Sequence, residues 1–169
     1  MTERVCVITE DYYAKGFLLR LLARKGIRLP GRNILSGRGK SRLLRELTNY
    51  VRTSIDIRGV EKVVVLIDGD GRPDETLRKC EEKVPKGYED RVEFIVFERE
   101  LEEWVLKGLG ISPGKGKPSE VLSDYLRKEK GAKHGYDKGR LPGLADLVDL
   151  KALEKDGNFR RLVRVLRDP

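Results

Sequence analysis

Along residues 1–110, short aliphatic runs alternate with longer stretches in which apolar residues recur every three or four positions. The short runs predict β-strands, and the longer stretches predict amphipathic helices. Strands are expected at Arg4–Thr9, Asn33–Leu35, Lys62–Ile67 and Arg91–Phe97. Helices are expected at Tyr13–Lys25, through Leu43, Leu44, Leu47, Tyr50 and Val51, at Pro73–Lys83 and at Arg99–Lys107. The run Lys62–Ile67 is almost wholly aliphatic, which is typical of a strand in the middle of a parallel sheet.

Alternating strands and helices predict an α/β fold, with a Rossmann-like, mostly parallel sheet of about four strands flanked by helices. Beyond this unit, Ser112–Pro118 has the composition of a linker or mobile loop. Helical patterns follow at Ser119–Lys130, near Leu144–Leu147, at Leu150–Lys155 and on a face of Phe159, Leu162, Val163 and Leu166. These helices are too short to hold a core alone. We therefore expect an α/β domain at residues 1–110, with a linker and helical C-terminal extension, residues 111–169, packed on it.

The composition is that of a soluble globular protein. Hydrophobic residues make up 38% of the 169 positions, and no apolar run approaches the roughly 20 residues that span a bilayer. The N-terminus has neither the basic region nor the cleavage site of a secretory signal, so a cytoplasmic location without a membrane partner is expected. Abundant Lys, Arg and Glu, with no Gln, resemble the composition of proteins from organisms living at high temperature.

The chain has few residues for thiol or imidazole chemistry. Cys6 and Cys80 lie among apolar or helix-patterned neighbours and are expected to be reduced and buried, which excludes a disulfide scaffold and a thiolate-only zinc site. The single histidine, His134, excludes a multi-histidine metal centre. Any catalysis is therefore expected to use carboxylates.

Positive charge is concentrated in one part of the chain. The formal net charge is +8, and the stretch from Lys15 to Arg45 contains ten basic residues and no acidic one. This stretch indicates a polyanion-binding surface, although a solvated basic face is the alternative. The candidate nucleic-acid-binding residues within it are Lys15, Arg20, Arg24, Arg38, Lys40 and Arg42. Tyr12 and Tyr13 are the candidates for stacking on bases, whereas Trp104 is expected in the core.

Acidic residues follow three of the predicted strands. Glu10 and Asp11 follow the first strand, Asp68-Gly69-Asp70 the third, and Glu98, Glu100, Glu102 and Glu103 the fourth. The carboxyl ends of parallel strands form the ligand-binding edge of such sheets. Converging carboxylates repel unless a cation lies among them, and oxygen ligands favour Mg²⁺ or Mn²⁺ over zinc. The alternatives are an Asp-Gly turn for Asp68 and Asp70, and glutamates favoured by the helix dipole for Glu100 and Glu102.

These motifs resemble the TOPRIM family of topoisomerases, bacterial primases and overcoming-lysogenization-defect-type nucleases. The resemblance rests on Val7-Ile8-Thr9-Glu10 leading into the Phe17-Leu18 helix and on Asp68-Gly69-Asp70 after a hydrophobic strand. Glu100-Leu101-Glu102-Glu103-Trp104 is similar to the Glu-x-Glu-x-Trp helix of small, uncharacterised TOPRIM-like proteins. The tail also resembles that group, at Leu141-Pro142, Asp149-Leu150 and Asn158–Leu166. Two positions depart from the family pattern. The family often has Gly where this chain has Asp11, and an acidic residue where this chain has Ala14.

The resemblance implies a Mg²⁺- or Mn²⁺-dependent nuclease, or a related phosphotransfer protein, that acts on nucleic-acid phosphodiesters. Metal-assisted phosphoryl transfer is also the chemistry that clustered carboxylates support. The candidate catalytic residues are Glu10, Asp68 and Asp70. The candidate metal ligands are Asp68, Asp70, Glu100 and Glu102, with the choice among the four glutamates after the last strand left open.

Three alternatives remain. A P-loop at Gly37–Ser41 would need glycine at position 34, where the chain has Ile34. A phosphatase of the haloacid dehalogenase type would normally have its nucleophilic aspartate after the first strand, whereas Asp68 follows the third. The third alternative is a non-catalytic nucleic-acid-binding or regulatory module on a TOPRIM-like scaffold, which the basic stretch supports equally well.

Overall fold

The computed structural model of the protein describes residues 3–169 and has a four-stranded, all-parallel sheet at its centre. The strands are β1 (Val5–Thr9), β2 (Ile34–Ser36), β3 (Lys62–Asp68) and β4 (Val92–Phe97). Their order in the sheet is β2-β1-β3-β4. The aliphatic strand β3 is thus an inner strand, as predicted. Because all four strands run in the same direction, their carboxyl ends share one edge of the sheet.

Eight α-helices accompany the strands in the described part of the chain. They are α1 (Tyr12–Arg24), α2 (Lys40–Arg52), α3 (Pro73–Glu81), α4 (Glu102–Gly108), α5 (Pro118–Lys130), α6 (Leu141–Leu144), α7 (Leu150–Leu153) and α8 (Gly157–Arg167). Together with the parallel sheet, they confirm the predicted α/β fold with a helical C-terminal part. None of the helices within residues 3–169 is long and apolar enough to span a membrane.

The sheet has an apolar cluster on each face. Alternate residues of β1 belong to different clusters. Val5 and Val7 belong to the cluster that contains α1 and the C-terminal helices, whereas Cys6 and Ile8 belong to the cluster with α2 and α3. Successive strand residues point to opposite faces, so a fully buried strand needs apolar residues at every position. Cys6 and Cys80 are both buried and free, as the sequence predicts.

Residues 111–169 share the larger apolar cluster with α1 and α4. The fully buried Trp104 of α4 packs edge-to-face against Phe97 of β4 and Phe159 of α8, with ring centroids 4.9 and 5.4 Å apart. Arg24 at the end of α1 donates to the carbonyl oxygens of Ala145 and Val148, at 2.6 Å each. These contacts hold the C-terminal helices against the same face of the sheet as α1.

Three local features differ from the sequence prediction. Helix α4 begins at Glu102 rather than Arg99, and the backbone N–H groups of Arg99 and Glu100, just before it, bond to the Glu103 carboxylate. Helix α6 spans Leu141–Leu144 rather than Leu144–Leu147. The end of α2 continues as a π-helical turn, Thr53–Ile57, for which the sequence pattern gives no signal.

Candidate functional site

Two of the predicted acidic residues meet at the carboxyl edge of the sheet. Glu10 follows β1, and Asp68 ends the neighbouring strand β3. Glu10 Oε2 accepts a hydrogen bond from the backbone N–H of Asp68 at 2.7 Å. Asp68 Oδ1 accepts from the backbone N–H of Leu101 at 2.9 Å, which ties the edge to the segment after β4. The two inner strands and the chain after β4 therefore position this pair of carboxyl groups.

The electrostatics of the pair favour a proton. Burial raises the pKa of Asp68 to about 9, with further contributions from the charges of Glu10 and Glu102. Burial also raises the pKa of Glu10 above its ordinary value, although hydrogen bonds from the backbone and side chain of Asp68 oppose the shift. Two carboxyl groups that share a poorly hydrated site do not both ionise readily. A cation or a proton is needed to neutralise the pair.

The charge of Asp70 also acts on Glu10. The Asp70 carboxylate is paired with Lys40 at the start of α2, with Lys40 Nζ 2.9 Å from Asp70 Oδ2. Asp70 has φ of 52°, and Arg38 on the opposing loop has φ of 57°; they are the non-glycine residues with positive φ within the described part of the chain. Left-handed backbone at such residues is uncommon and concentrates at functional sites. Asp70 is one partner of the ion pair, and Arg38 lies two residues before the other partner, Lys40.

Glu102 is fully buried, although it lies in the first turn of α4. Its carboxylate accepts from the Tyr136 hydroxyl at 2.8 Å and pairs with Lys138, whose Nζ lies 3.0 Å away. Lys138 Nζ also lies 3.6 Å from Asp11 Oδ2. Burial lowers the pKa of the Lys138 ammonium group, but the charge and hydrogen bond of Glu102, together with the charges of Asp11 and Asp68, outweigh this effect and raise the pKa. An ammonium group of the C-terminal part thus lies among the carboxylates of the edge.

The other glutamates after β4 have different roles in the structure. Glu100 Oε1 accepts from the backbone N–H of Ser119 at 3.0 Å and so caps the start of α5. Glu103 accepts from Arg99 and Glu100 as described above, and Glu98 is exposed. Of the four, Glu102 is the one whose charge acts on Asp68. The sequence left this choice open.

Asp11, which departs from the TOPRIM pattern, is the N-cap of α1. Its Oδ1 accepts from the backbone N–H of Ala14 at 2.8 Å. A carboxylate in this position satisfies one of the free N–H groups at the start of the helix. Asp11 therefore contributes to helix capping and to the ion pair with Lys138.

The carboxylate oxygens at this edge are the type of ligand that a hard divalent cation prefers, but their arrangement matches a metal site only in part. Among residues 3–169, no group of three or more His, Cys, Asp or Glu side chains is arranged to hold a metal ion. Mg²⁺, however, is commonly bound by one or two carboxylates, with water and substrate phosphates completing its shell. A small cavity of about 10 Å³ is lined by Glu10, Asp11, Asp68 and Lys138 among others, which is close to the space for one water molecule. Glu10 and Asp68 fit such a cation as two oxygen ligands.

The predicted basic residues lie along α1 and at, or just before, the start of α2. Arg38, Lys40 and Arg42 lie at the start of α2, beside the acidic edge, where Gly39 N donates to the carbonyl oxygen of Glu10 at 2.6 Å. Arg20 and Arg24 lie further along α1, which rises about 1.5 Å per residue, and are therefore about 12 and 18 Å from its start at Tyr12. Lys15 lies in the first turns of α1 and is partly buried. The Arg24 guanidinium is bonded to two carbonyl groups of the C-terminal part.

Tyr136 and Lys138 are the site residues that the sequence did not indicate. They lie after α5 in a polar stretch rich in Gly and Lys. A lysine in such a stretch has the pattern of a solvated residue, and its partner Glu102 is 36 positions away. No local signal could have linked the two.

Comparisons with known proteins give one similar structure. No protein-family model matches the chain, and no curated protein matches it. Among solved structures, the chain is similar to the C-terminal region of the OLD protein of Xanthomonas campestris pv. campestris, with 18% identity and a TM-score of 0.40. The match covers 99% of this chain and 86% of that chain. At this identity and TM-score, membership of the TOPRIM family stays a prediction from the sequence motifs.

Proposed function

We propose that the protein is a Mg²⁺- or Mn²⁺-dependent nuclease, or a related phosphotransfer protein, that acts on nucleic-acid phosphodiesters. The observation that carries the proposal is the Glu10–Asp68 pair at the carboxyl edge of the two inner strands. The pair is poorly hydrated, both pKa values are raised, and its oxygen atoms are ligands of the type that Mg²⁺ prefers. Perturbed carboxyl groups at this edge of an α/β sheet favour a functional site over a structural one.

In this proposal, Glu10 and Asp68 would hold the cation, and Asp70 could join them by releasing Lys40. Mg²⁺ bound there would polarise a phosphoryl oxygen and lower the pKa of a bound water molecule. The backbone N–H of Leu101 and that of Asp68 fix the two carboxyl groups in place. Glu100 caps α5 through Oε1, and its metal-binding role stays a prediction from the sequence motif.

The basic residues would supply the contacts to the polynucleotide. Arg38 and Arg42 are exposed beside the acidic edge, and Lys40 lies between them. Contacts from such residues to phosphates position a strand without reading its bases. Affinity that arises in this way falls steeply with salt concentration.

The second candidate is the non-catalytic nucleic-acid-binding module. It is favoured by one specific observation: the ammonium groups of Lys40 and Lys138 already form ion pairs with Asp70, Asp11 and Glu102. A site whose negative charge is partly balanced by its own lysines can be stable without a metal ion. Under this candidate, the carboxylates hold the fold together and the basic residues alone have the function.

The two candidates differ in metal-dependent hydrolysis. The test is cleavage of single- and double-stranded DNA and RNA by the wild-type chain with Mg²⁺, Mn²⁺ or EDTA. Glu10→Gln and Asp68→Asn are expected to lower the rate by at least about 100-fold while leaving polynucleotide binding intact. Glu129→Gln, at an exposed position near the end of α5, is the matched control and is expected to keep the wild-type rate.

A wild-type chain that binds polynucleotide but cleaves nothing in the presence of either metal would reject the nuclease and leave the binding module. Cleavage that persists in both Glu10→Gln and Asp68→Asn would show that another group is responsible. The salt dependence of binding is expected to be the same for the wild type and both variants, because it comes from Lys and Arg.

A further inference from the structure

Two consecutive aromatic side chains are exposed beside the acidic edge. Tyr12 is 73% exposed and Tyr13 is 44% exposed, and their rings lie edge-to-face with centroids 6.4 Å apart. The other large exposed hydrophobic residues within residues 3–169 are Ile57 and Leu147, which lie apart from each other in sequence. Single exposed apolar residues need no explanation, but adjacent ones indicate a contact surface.

The position of the pair is fixed by the residues that form the site. Tyr12 is the first residue of α1, and Asp11 caps this helix directly after Glu10. The start of α1 therefore presents both rings at the carboxyl edge of the sheet. The loop that carries Arg38 lies at the same edge, because its Gly39 N–H bonds to the carbonyl oxygen of Glu10.

We propose that Tyr12 and Tyr13 stack on unpaired nucleobases, so that the site takes single-stranded nucleic acid. This inference rests on the proposed function and names its substrate class. Exposed aromatic rings next to cationic side chains are the combination that binds single strands, because each base offers a ring face and each phosphate a charge. In a duplex, the base faces are covered by neighbouring pairs and are not available to the tyrosines.

The charges around the pair favour a polyanion over an apolar protein surface. Lys15 lies one helical turn after Tyr12, and Arg38 and Arg42 are exposed across the acidic edge. The stacking chemistry is the same for single-stranded DNA and RNA, so the experiment includes both. An acidic polypeptide would pair with the basic side chains but has no nucleobases on which the tyrosine rings could stack.

The test measures binding of labelled oligo(dT), oligo(rU) and a blunt-ended DNA duplex without a loop to the full chain by fluorescence anisotropy in EDTA. Tyr12→Ala and Tyr13→Ala are each expected to weaken single-strand binding roughly tenfold, with no change for the duplex. Tyr12→Phe keeps the ring and is expected to stay within about twofold of the wild type. Leu147→Ala removes an exposed apolar side chain elsewhere and is the matched control.

Unchanged single-strand binding in the Tyr12→Ala/Tyr13→Ala double variant would overturn the inference. An equal loss on the duplex would also overturn it, as would tyrosine-dependent binding of polyglutamate in preference to the oligonucleotides. Because no metal is present, the result does not depend on hydrolysis. If binding depends on the tyrosines but the cleavage assay of the proposed function shows no hydrolysis, only the nuclease proposal is rejected. If the chain cleaves polynucleotide but binds it equally well without the tyrosine rings, only the stacking inference is rejected.

Discussion

The Asp68 carboxyl group lies beside Glu10 and Glu102, away from bulk water. Its pKa is about 9 in the folded chain, against 3.8 for an ordinary aspartate. Between these values the folded state keeps a proton that the unfolded state has lost. The free energy of unfolding must therefore fall as the pH rises through this range. A partly buried pair whose ionisation is expected to cost stability is consistent with a role in binding rather than in stability.

Replacing Asp68 with Asn should stabilise the protein at neutral and alkaline pH. Asn keeps an oxygen atom that accepts the hydrogen bond from the Leu101 N–H. Because Asn carries no charge, the loss of folding free energy that accompanies ionisation of Asp68 is absent. At about pH 8, we expect the variant to exceed the wild type in free energy of unfolding by at least about 1.4 kcal/mol, the equivalent of one pKa unit. Urea denaturation at about pH 5 and about pH 8 gives the change in the free energy of unfolding with pH for the wild type and for the variant. Equal slopes in the two proteins would mean that Asp68 is already ionised.

Lys138 is expected to stabilise the fold through Glu102. Lys138→Met would leave the buried Glu102 carboxylate with the Tyr136 hydroxyl but without its cation. The expected loss is about 1.5–3 kcal/mol in the free energy of unfolding. The Lys138→Met/Glu102→Gln double variant should recover most of it, since it removes both charges.

The control for this cycle is Lys133→Met, which removes an exposed lysine from the same segment. It should stay within about 0.5 kcal/mol of the wild type. If Lys138→Met behaves like this control, the ion pair contributes nothing measurable and Lys138 is free for another role.

At the scale of the elements, Gly69 lets the turn after β3 pass close to the end of β4. A Cβ atom at this position would collide with the carbonyl oxygen of Phe97 and lie 2.9 Å from that of Glu98. Asp70 N and Gly71 N donate to the carbonyl oxygens of Arg99 and Glu98, which holds the two segments together. The Asp68-Gly69-Asp70 motif is therefore required for packing as well as for its carboxylates.

Gly69→Ala is expected to destabilise the protein by about 1–3 kcal/mol, as overpacking does in tight sites, and to move Asp68 relative to Glu10. Thermal unfolding measures the first effect. Gly31→Ala is the matched control, because nothing lies within 4 Å of the added Cβ and its φ is not positive. Similar melting temperatures for both variants would show that the turn adjusts without cost.

The elements were predictable where one periodicity dominates the sequence. The Lys62–Ile67 run predicted β3 because burial on both faces requires an unbroken aliphatic strand. The start of α4 was placed too early because a helical pattern does not reveal that Glu103 bonds back to Arg99 and Glu100. Glu10 and Asp68 were predictable as strand-end residues, whereas the roles of Glu100 and Lys138 depend on contacts between distant parts of the chain.

At the scale of the whole molecule, residues 111–169 complete the larger apolar cluster and supply Lys138 to the site. The sequence predicts that residues 111–169 pack on a domain of residues 1–110, and Trp104 packs on Phe159 across that boundary. A fragment of residues 1–110 is therefore expected to unfold without a cooperative transition. Emission of the single tryptophan should be shifted to longer wavelength in this fragment, because the side chain is exposed to water. A cooperative transition with buried Trp104 emission would show instead that residues 1–110 fold alone.

The central claim is that Glu10 and Asp68 bind a divalent cation. Calorimetric titration of Mg²⁺ and Mn²⁺ into the full chain tests it most directly, with and without a phosphorothioate oligonucleotide to complete the metal shell. Saturable binding in the wild type and in Glu129→Gln, lost in Asp68→Asn, is the predicted result. No binding in the wild type under either condition, or equal binding in Asp68→Asn, would contradict the account.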